Sequence, residues 1–280
     1  MPNVQDGYSR NMAIIHSNVR PSSVSGSFYP SDHVKLRSFI DTALTHAHPI
    51  PTKTKKVCIR AVISPHAGYE YCHSVMGSVY GAVKKQKYRK VILLGPSHYF
   101  SFSCLAMDTH KQWRTPLGYV TLEKNILEEL SKNELFSYLP NVFRNEHSLD
   151  VQIPFLQTVL SHFTLIPLCC GQKLPSQTIA HILIKYIDDS TLLVVSSDLS
   201  HYLPENEAVQ RDNDTIASIL SRDDKRISFH ADACGIEGIK IVNVIANLYK
   251  WQPHCMYNTT SAQANGDVMR VVGYGGFIYV

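Results

Sequence analysis

Residues 91–100 read VILLGPSHYF. The four aliphatic residues Val91, Ile92, Leu93 and Leu94 show no polar alternation, which is the pattern of a strand covered on both faces. Gly95 and Pro96 then break the strand, and His98 follows at its tip. The same grammar recurs on either side. Residues 57–64 (VCIRAVIS) end in Pro65-His66-Ala67-Gly68, and residues 192–197 (LLVVSS) end in Asp198-Leu199-Ser200-His201. Residues 163–169 (FTLIPLC) form a further apolar run, stopped by Gly171. Apolar residues at helical spacing mark helices over 73–87, 123–132, 148–160, 175–187, 205–220 and 235–249, and two β-rich segments, 255–263 and 271–280, close the chain.

Buried-type strands alternating with helices predict an α/β fold, in which a central mixed β-sheet carries helices on both faces. No internal repeat and no Gly-, Ser- or Pro-rich linker interrupts the pattern. A single domain over residues 21–280 is expected, with residues 1–20 as an N-terminal arm. A length of 280 residues, 44% hydrophobic and 18% charged, suffices for a large core and excludes a disordered chain. Net charge is only +4, and the clusters Lys53-Thr54-Lys55-Lys56 and Lys84-Lys85-Gln86-Lys87 read as solvated faces, so no nucleic-acid partner is expected. Seven cysteines without CxxC spacing indicate reduced thiols and a cytoplasmic chain. No basic start followed by an apolar run suggests a signal peptide, and no stretch reaches the ~20 apolar residues of a membrane span, so no membrane contact is expected.

In folds of this kind, ligands bind outside the carboxyl ends of the strands. Three of the four strands deliver a histidine there: His66, His98 and His201. Glu146-His147-Ser148 precedes a helix, where Ser148 reads equally well as an N-cap. The i, i+3 spacing of Asp198 and His201 would put carboxylate and imidazole on one face of a helical turn. Neutral imidazoles are common metal ligands but need a third donor. Cys234, just before an apolar helix whose positive end favours a thiolate, is a candidate; a buried thiol in a small-residue turn is the plainer alternative. Arg114 reads as an anion contact or a surface ion pair.

Seven segments together carry a family resemblance: RPSSVSGSFYP (20–30), ISPHAGYEYC (63–72), LLGPSHYF (93–100), RTPLG (114–118), NEHSLDVQIPFLQ (145–157), VVSSDLSHY (194–202) and DACGI (232–236). In their order and number they resemble the Memo-like family, also called AmmeMemoRadiSam system protein B, over nearly the whole chain from Arg20. The resemblance implies a fold like that of the class III, LigB-type extradiol dioxygenases and a site that binds iron or copper, with zinc as an alternative. It implies His66, His98 and Cys234 as metal ligands, with His147, Asp198, His201 and Glu146 in acid–base or outer-shell roles. The ring-cleaving enzymes have a carboxylate where Cys234 stands. A thiolate is softer and favours Cu(I), Zn(II) or a more electron-rich iron. The leading expectation is a redox enzyme acting on an unknown small-molecule or peptide substrate. The resemblance also implies association with radical-SAM and AMMECR-like proteins. Two other readings stand beside it: a peptide- or protein-binding module using a vestigial pocket, and a zinc hydrolase with Glu146 or His147 as base.

Overall fold

The computed structural model describes residues 18–50, 58–84 and 86–280. The basic cluster at 53–56, Val57, Lys85 and residues 1–17 of the expected arm lie outside the described residues. Val19 and Arg20, the arm's last two residues, lie in a strand.

In chain order the strands are β1 (Val19–Pro21), β2 (Ala61–Ser64), β3 (Lys90–Pro96), β4 (Leu105–Met107), β5 (Gln112–Thr115), β6 (Gly118–Leu122), β7 (Phe136–Tyr138), β8 (Thr164–Cys170), β9 (Thr191–Ser196), β10 (His201–Leu203), β11 (Pro253–Thr260) and β12 (Val271–Tyr279). The α-helices are α1 (His33–Thr45), α2 (Tyr69–Val83), α3 (Lys124–Leu130), α4 (Gln152–Val159), α5 (Ser176–Leu183), α6 (Glu205–Ser221), α7 (Asp224–His230), α8 (Ile236–Tyr249) and α9 (Ala262–Asn265).

One mixed sheet runs β1-β5-β6-β8-β3-β9-β2-β12-β10, with β11 paired to β12, β4 to β8, and β7 to β4. Its centre, β8-β3-β9-β2, is parallel, and β12 closes it antiparallel on β2. The four parallel strands are the aliphatic runs of the sequence. All of β2 and β9 is buried, as is all but the first residue of β3 and β8.

Register shows helices on both faces, as expected. Gly238 of α8 packs on Val195 of β9 and Leu94 of β3. Val195 pairs with Ile63, and Ile63 with Phe277, so all three share the α8 face. Gly276, one residue along, faces the other way and meets Val75 and Val79 of α2. Glycine is required at that crossing, since a Cβ there would lie 2.6 Å from Val79 Cγ2.

Several local expectations need correction. The helix expected from 73 begins at Tyr69, and the one expected from 148 begins at Gln152. Ser148 does not cap it: its hydroxyl donates to the Pro96 carbonyl at 2.8 Å. Residues 198–201 form no helical turn, because His201 starts β10 and pairs with Val272. Strand β11 stops at Thr260, and residues 262–265 are helical.

Candidate metal centre

His66, His98 and Asp198 each stand two residues beyond a strand end, at Ser64 of β2, Pro96 of β3 and Ser196 of β9. Those strands are neighbours in the order β3-β9-β2, so their tips converge. Two loops complete the cluster. His147 arrives from the loop before α4, and Cys234 from the turn before α8.

His66 is 1% exposed, and its tautomer follows from its neighbours. Ser196 Oγ donates its one hydrogen to the Ser148 carbonyl at 2.5 Å. It therefore accepts from Gln152 Nε2 at 2.7 Å and from His66 Nδ1 at 3.0 Å. Nδ1 carries the proton, and the Nε2 lone pair faces the cluster. Burial, then the rings of His147 and His98, push the His66 imidazole well below the ordinary histidine range, so it is neutral at pH 7.

His98 is fixed by Glu146. The His98 backbone N–H donates to Glu146 Oε2 at 2.7 Å and its Nδ1–H donates to Oε1 at 2.8 Å. Oε1 also accepts the Ser148 N–H at 2.9 Å. Burial pushes the Glu146 carboxyl up, but His98 and the backbone N–H groups outweigh it and bring it down to about 2. The bond to Nδ1 leaves Nε2 with the lone pair in the neutral ring, the arrangement of a metal-ligating histidine held by a carboxylate.

His147 stacks on His98 with ring centroids 4.4 Å apart, and both rings meet His66 edge-on at 5.4 and 5.2 Å. Its Nδ1 is buried without a hydrogen-bond partner, 3.6 Å from Glu146 Oε1. Burial, then His98, lowers its pKa to about 4.

Cys234 Sγ lies 3.2 Å from His66 Nε2 and receives the Asp198 N–H at 3.2 Å. The expectation that the nearby helix start favours a thiolate is overturned: burial, then the Asp198 charge, pushes the thiol up. Asp198 accepts the His66 N–H at 2.7 Å, and burial raises its carboxyl to about 6. His201 is half-buried at the start of β10. Its charge bears on His66 and Asp198, though no hydrogen bond joins it to either among the described residues.

Among the described residues, His66, His98 and His147 form a group that could hold a metal ion, their ligating atoms all within 4.8 Å of one another. Donors about 2.1 Å from a tetrahedral ion stand about 3.4 Å apart, somewhat closer than the 4.8 Å that bounds this set. The 3.2 Å between Cys234 Sγ and His66 Nε2 already lies near that spacing. An unpartnered buried nitrogen on His147 and two imidazoles held at Nδ1 with Nε2 toward the cluster are the donor chemistry a metal requires. Of the three expected ligands, His66 and His98 share this group with His147, which the expected set lacks, while Cys234 stands outside it, beside His66. Glu146 stands behind His98 rather than facing the open side.

Sequence reasoning missed the frame of His66. Ser196, Ser148 and Gln152 lie within the motifs VVSSDLSHY and NEHSLDVQIPFLQ, but only the fold shows which serine turns toward the imidazole.

The family model for Memo-like proteins matches residues 20–278. A MEMO1 family protein of Nitrosopumilus maritimus is 31% identical over 94% of this chain and 100% of its own length. Those of Sulfolobus acidocaldarius and Sulfurisphaera tokodaii are 31% and 29% identical, each over 91% of this chain and 97% of their own length.

Proposed function

The chain belongs to the Memo-like protein family, and from that premise we propose that it holds a single iron or copper ion at His66, His98 and Cys234 and works as a redox enzyme related to the non-haem extradiol dioxygenases. The observation that carries this reading is the meeting of two imidazoles, each held at Nδ1, with the Cys234 thiol 3.2 Å from Nε2 of His66. Bound there, iron or copper would supply one-electron chemistry and activation of dioxygen.

The chain's own groups do the rest. Ser196 and Glu146 hold the two rings so that their lone pairs converge. Cys234 gives up its proton on ligation and lends a softer, more strongly donating atom than a carboxylate. His147, neutral at pH 7 and stacked on His98, stands beside the two held rings to hydrogen-bond a bound substrate. Asp198, with its carboxyl raised to about 6, keeps the backbone of His66 in place and exchanges a proton near neutral pH. A zinc hydrolase fits less well, because Glu146 is committed to His98 and burial leaves His147, the other candidate base, at about 4.

The exposed rings of Tyr99, Phe100 and Tyr202, which follow His98 and His201, favour a second reading in which the same pocket docks a peptide. All seven cysteines are free, which accords with a reducing cytoplasm. Association with radical-SAM and AMMECR-like proteins belongs to the same proposal. Elemental analysis of anaerobically purified protein is expected to find about one iron or copper per chain, and much less in His66→Ala and Cys234→Ser. Unchanged stoichiometry in both variants contradicts the proposal. A tight peptide partner without metal-dependent oxygen uptake supports the docking reading.

A further inference from the structure

We infer that Arg20, more than 40 residues before the first metal-site histidine, is a positioning residue of the metal centre. The inference rests on the metal-centre reading above, but its basis is a separate set of contacts.

Arg20 lies in β1, parallel to β5 and opposite Trp113, and is 4% exposed. Its guanidinium lies over the Trp113 ring, 4.3 Å from the centroid. Nε and Nη2 donate to the Phe143 carbonyl at 3.0 and 2.8 Å, Nη2 also to the Glu146 carbonyl at 3.2 Å, and Nη1 to Asp150 Oδ2 at 2.8 Å. These three partners all belong to residues 143–150, the segment that carries Glu146 and His147. Asp150 closes the other side, accepting the Ser23 N–H, the Ser22 hydroxyl and the Tyr29 hydroxyl at 2.9, 2.9 and 2.6 Å. Ser23 Oγ adds a second donor to the Glu146 carbonyl at 3.1 Å.

The relay has two links. The Glu146 backbone is gripped by Arg20 and Ser23, and the Glu146 carboxylate grips both the ring and the backbone N–H of His98. A shift of the Glu146 backbone therefore swings His98 and moves His147, the next residue. Removing a charge from water is costly, and an apolar residue could fill this space against Trp113. What the apolar residue lacks is a planar fork that holds two carbonyls and a carboxylate in one fixed arrangement. Lysine keeps the charge but not the fork.

The test uses the full chain carrying Arg20→Lys, or the milder Ser23→Ala should the first not fold. Ile245→Val, a core change in α8, serves as a stability-matched control. In metal-free protein, long-range nitrogen–proton NMR reads the tautomer of each histidine. Wild type is expected to show His98 with its proton on Nδ1, and Arg20→Lys to shift those nitrogen resonances while Ile245→Val leaves them in place. Cobalt(II) is then titrated against a chelator. Arg20→Lys is expected to weaken cobalt binding by roughly ten- to a hundred-fold and to move the cobalt absorption bands, with no such change in the control. His98 resonances that stay put in the folded variant, or that move equally in the control, overturn the inference. A wild type that binds no cobalt counts against the metal reading, while the NMR result still decides the role of Arg20.

Discussion

Replacing Glu146 with glutamine cuts the grip on His98 while keeping its shape, and its effect on stability should depend on pH. Glu146 is 1% exposed, and its two oxygens accept three N–H groups: the His98 ring and backbone and the Ser148 backbone. Glutamine offers one oxygen, so at least one N–H must face an amide NH2. The folded carboxyl titrates at about 2, against an ordinary glutamate value of about 4.3. Two units correspond to about 3 kcal/mol of stability. Because the folded value is depressed, that stability is present in full above about pH 5 and is lost as the pH falls through about 2. Urea unfolding of the metal-free chain, followed by circular dichroism, should therefore show Glu146→Gln less stable by about 3 kcal/mol at pH 7. The gap should narrow at pH 4 and narrow further at pH 3. A deficit below about 1 kcal/mol at pH 7, or one of the same size at pH 7 and pH 3, would refute the assignment of Glu146 as an ionised clamp.

Metal affinity should carry a proton dependence of its own. The Cys234 thiol, pushed up by burial, must release a proton to ligate, whereas His66 and His147 are already neutral at pH 7. Cobalt affinity is expected to rise more steeply between pH 6 and 8 in wild type than in Cys234→Ser, by about one extra power of ten per pH unit; equal slopes would remove Cys234 from the ligand set. Gly77→Ala tests the packing instead. A Cβ there would lie 2.3 Å from the Ala43 carbonyl oxygen, forcing α1 and α2 apart at a cost of about 1–3 kcal/mol. Its melting temperature should drop by several degrees with cobalt affinity unchanged, and an unaltered melt would show that the two helices yield freely.

The parallel centre of the sheet was legible because β2, β3, β8 and β9 are buried on both faces and are written as unbroken aliphatic runs. The edge was not. Strands β4, β5, β6 and β7 have three to five residues each and gain their order from β8 and from one another. Helix α1 did leave a signal that the sequence reading passed over: Leu36, Ile40 and Ala43 at helical spacing behind the N-cap Asp32. At the site, the strand-end histidines stood out as residue types in repeated places. The resemblance implied outer-shell roles for Glu146 and Asp198, but not their bonds, which go to backbone N–H groups that only the assembled loops bring into reach. Cys234 shows the same limit. Its place before a helix argued for a thiolate, but burial in the assembled fold and the charge of Asp198, 36 residues away in sequence, raise the thiol.

X-ray absorption on the metal-loaded, reduced chain tests the central claim most directly. A shell of one sulfur at about 2.3 Å with two or more imidazole nitrogens at about 2.0–2.1 Å is the expected result, the sulfur vanishing in Cys234→Ser. A shell of nitrogen and oxygen alone in the wild type would contradict the His66, His98 and Cys234 centre.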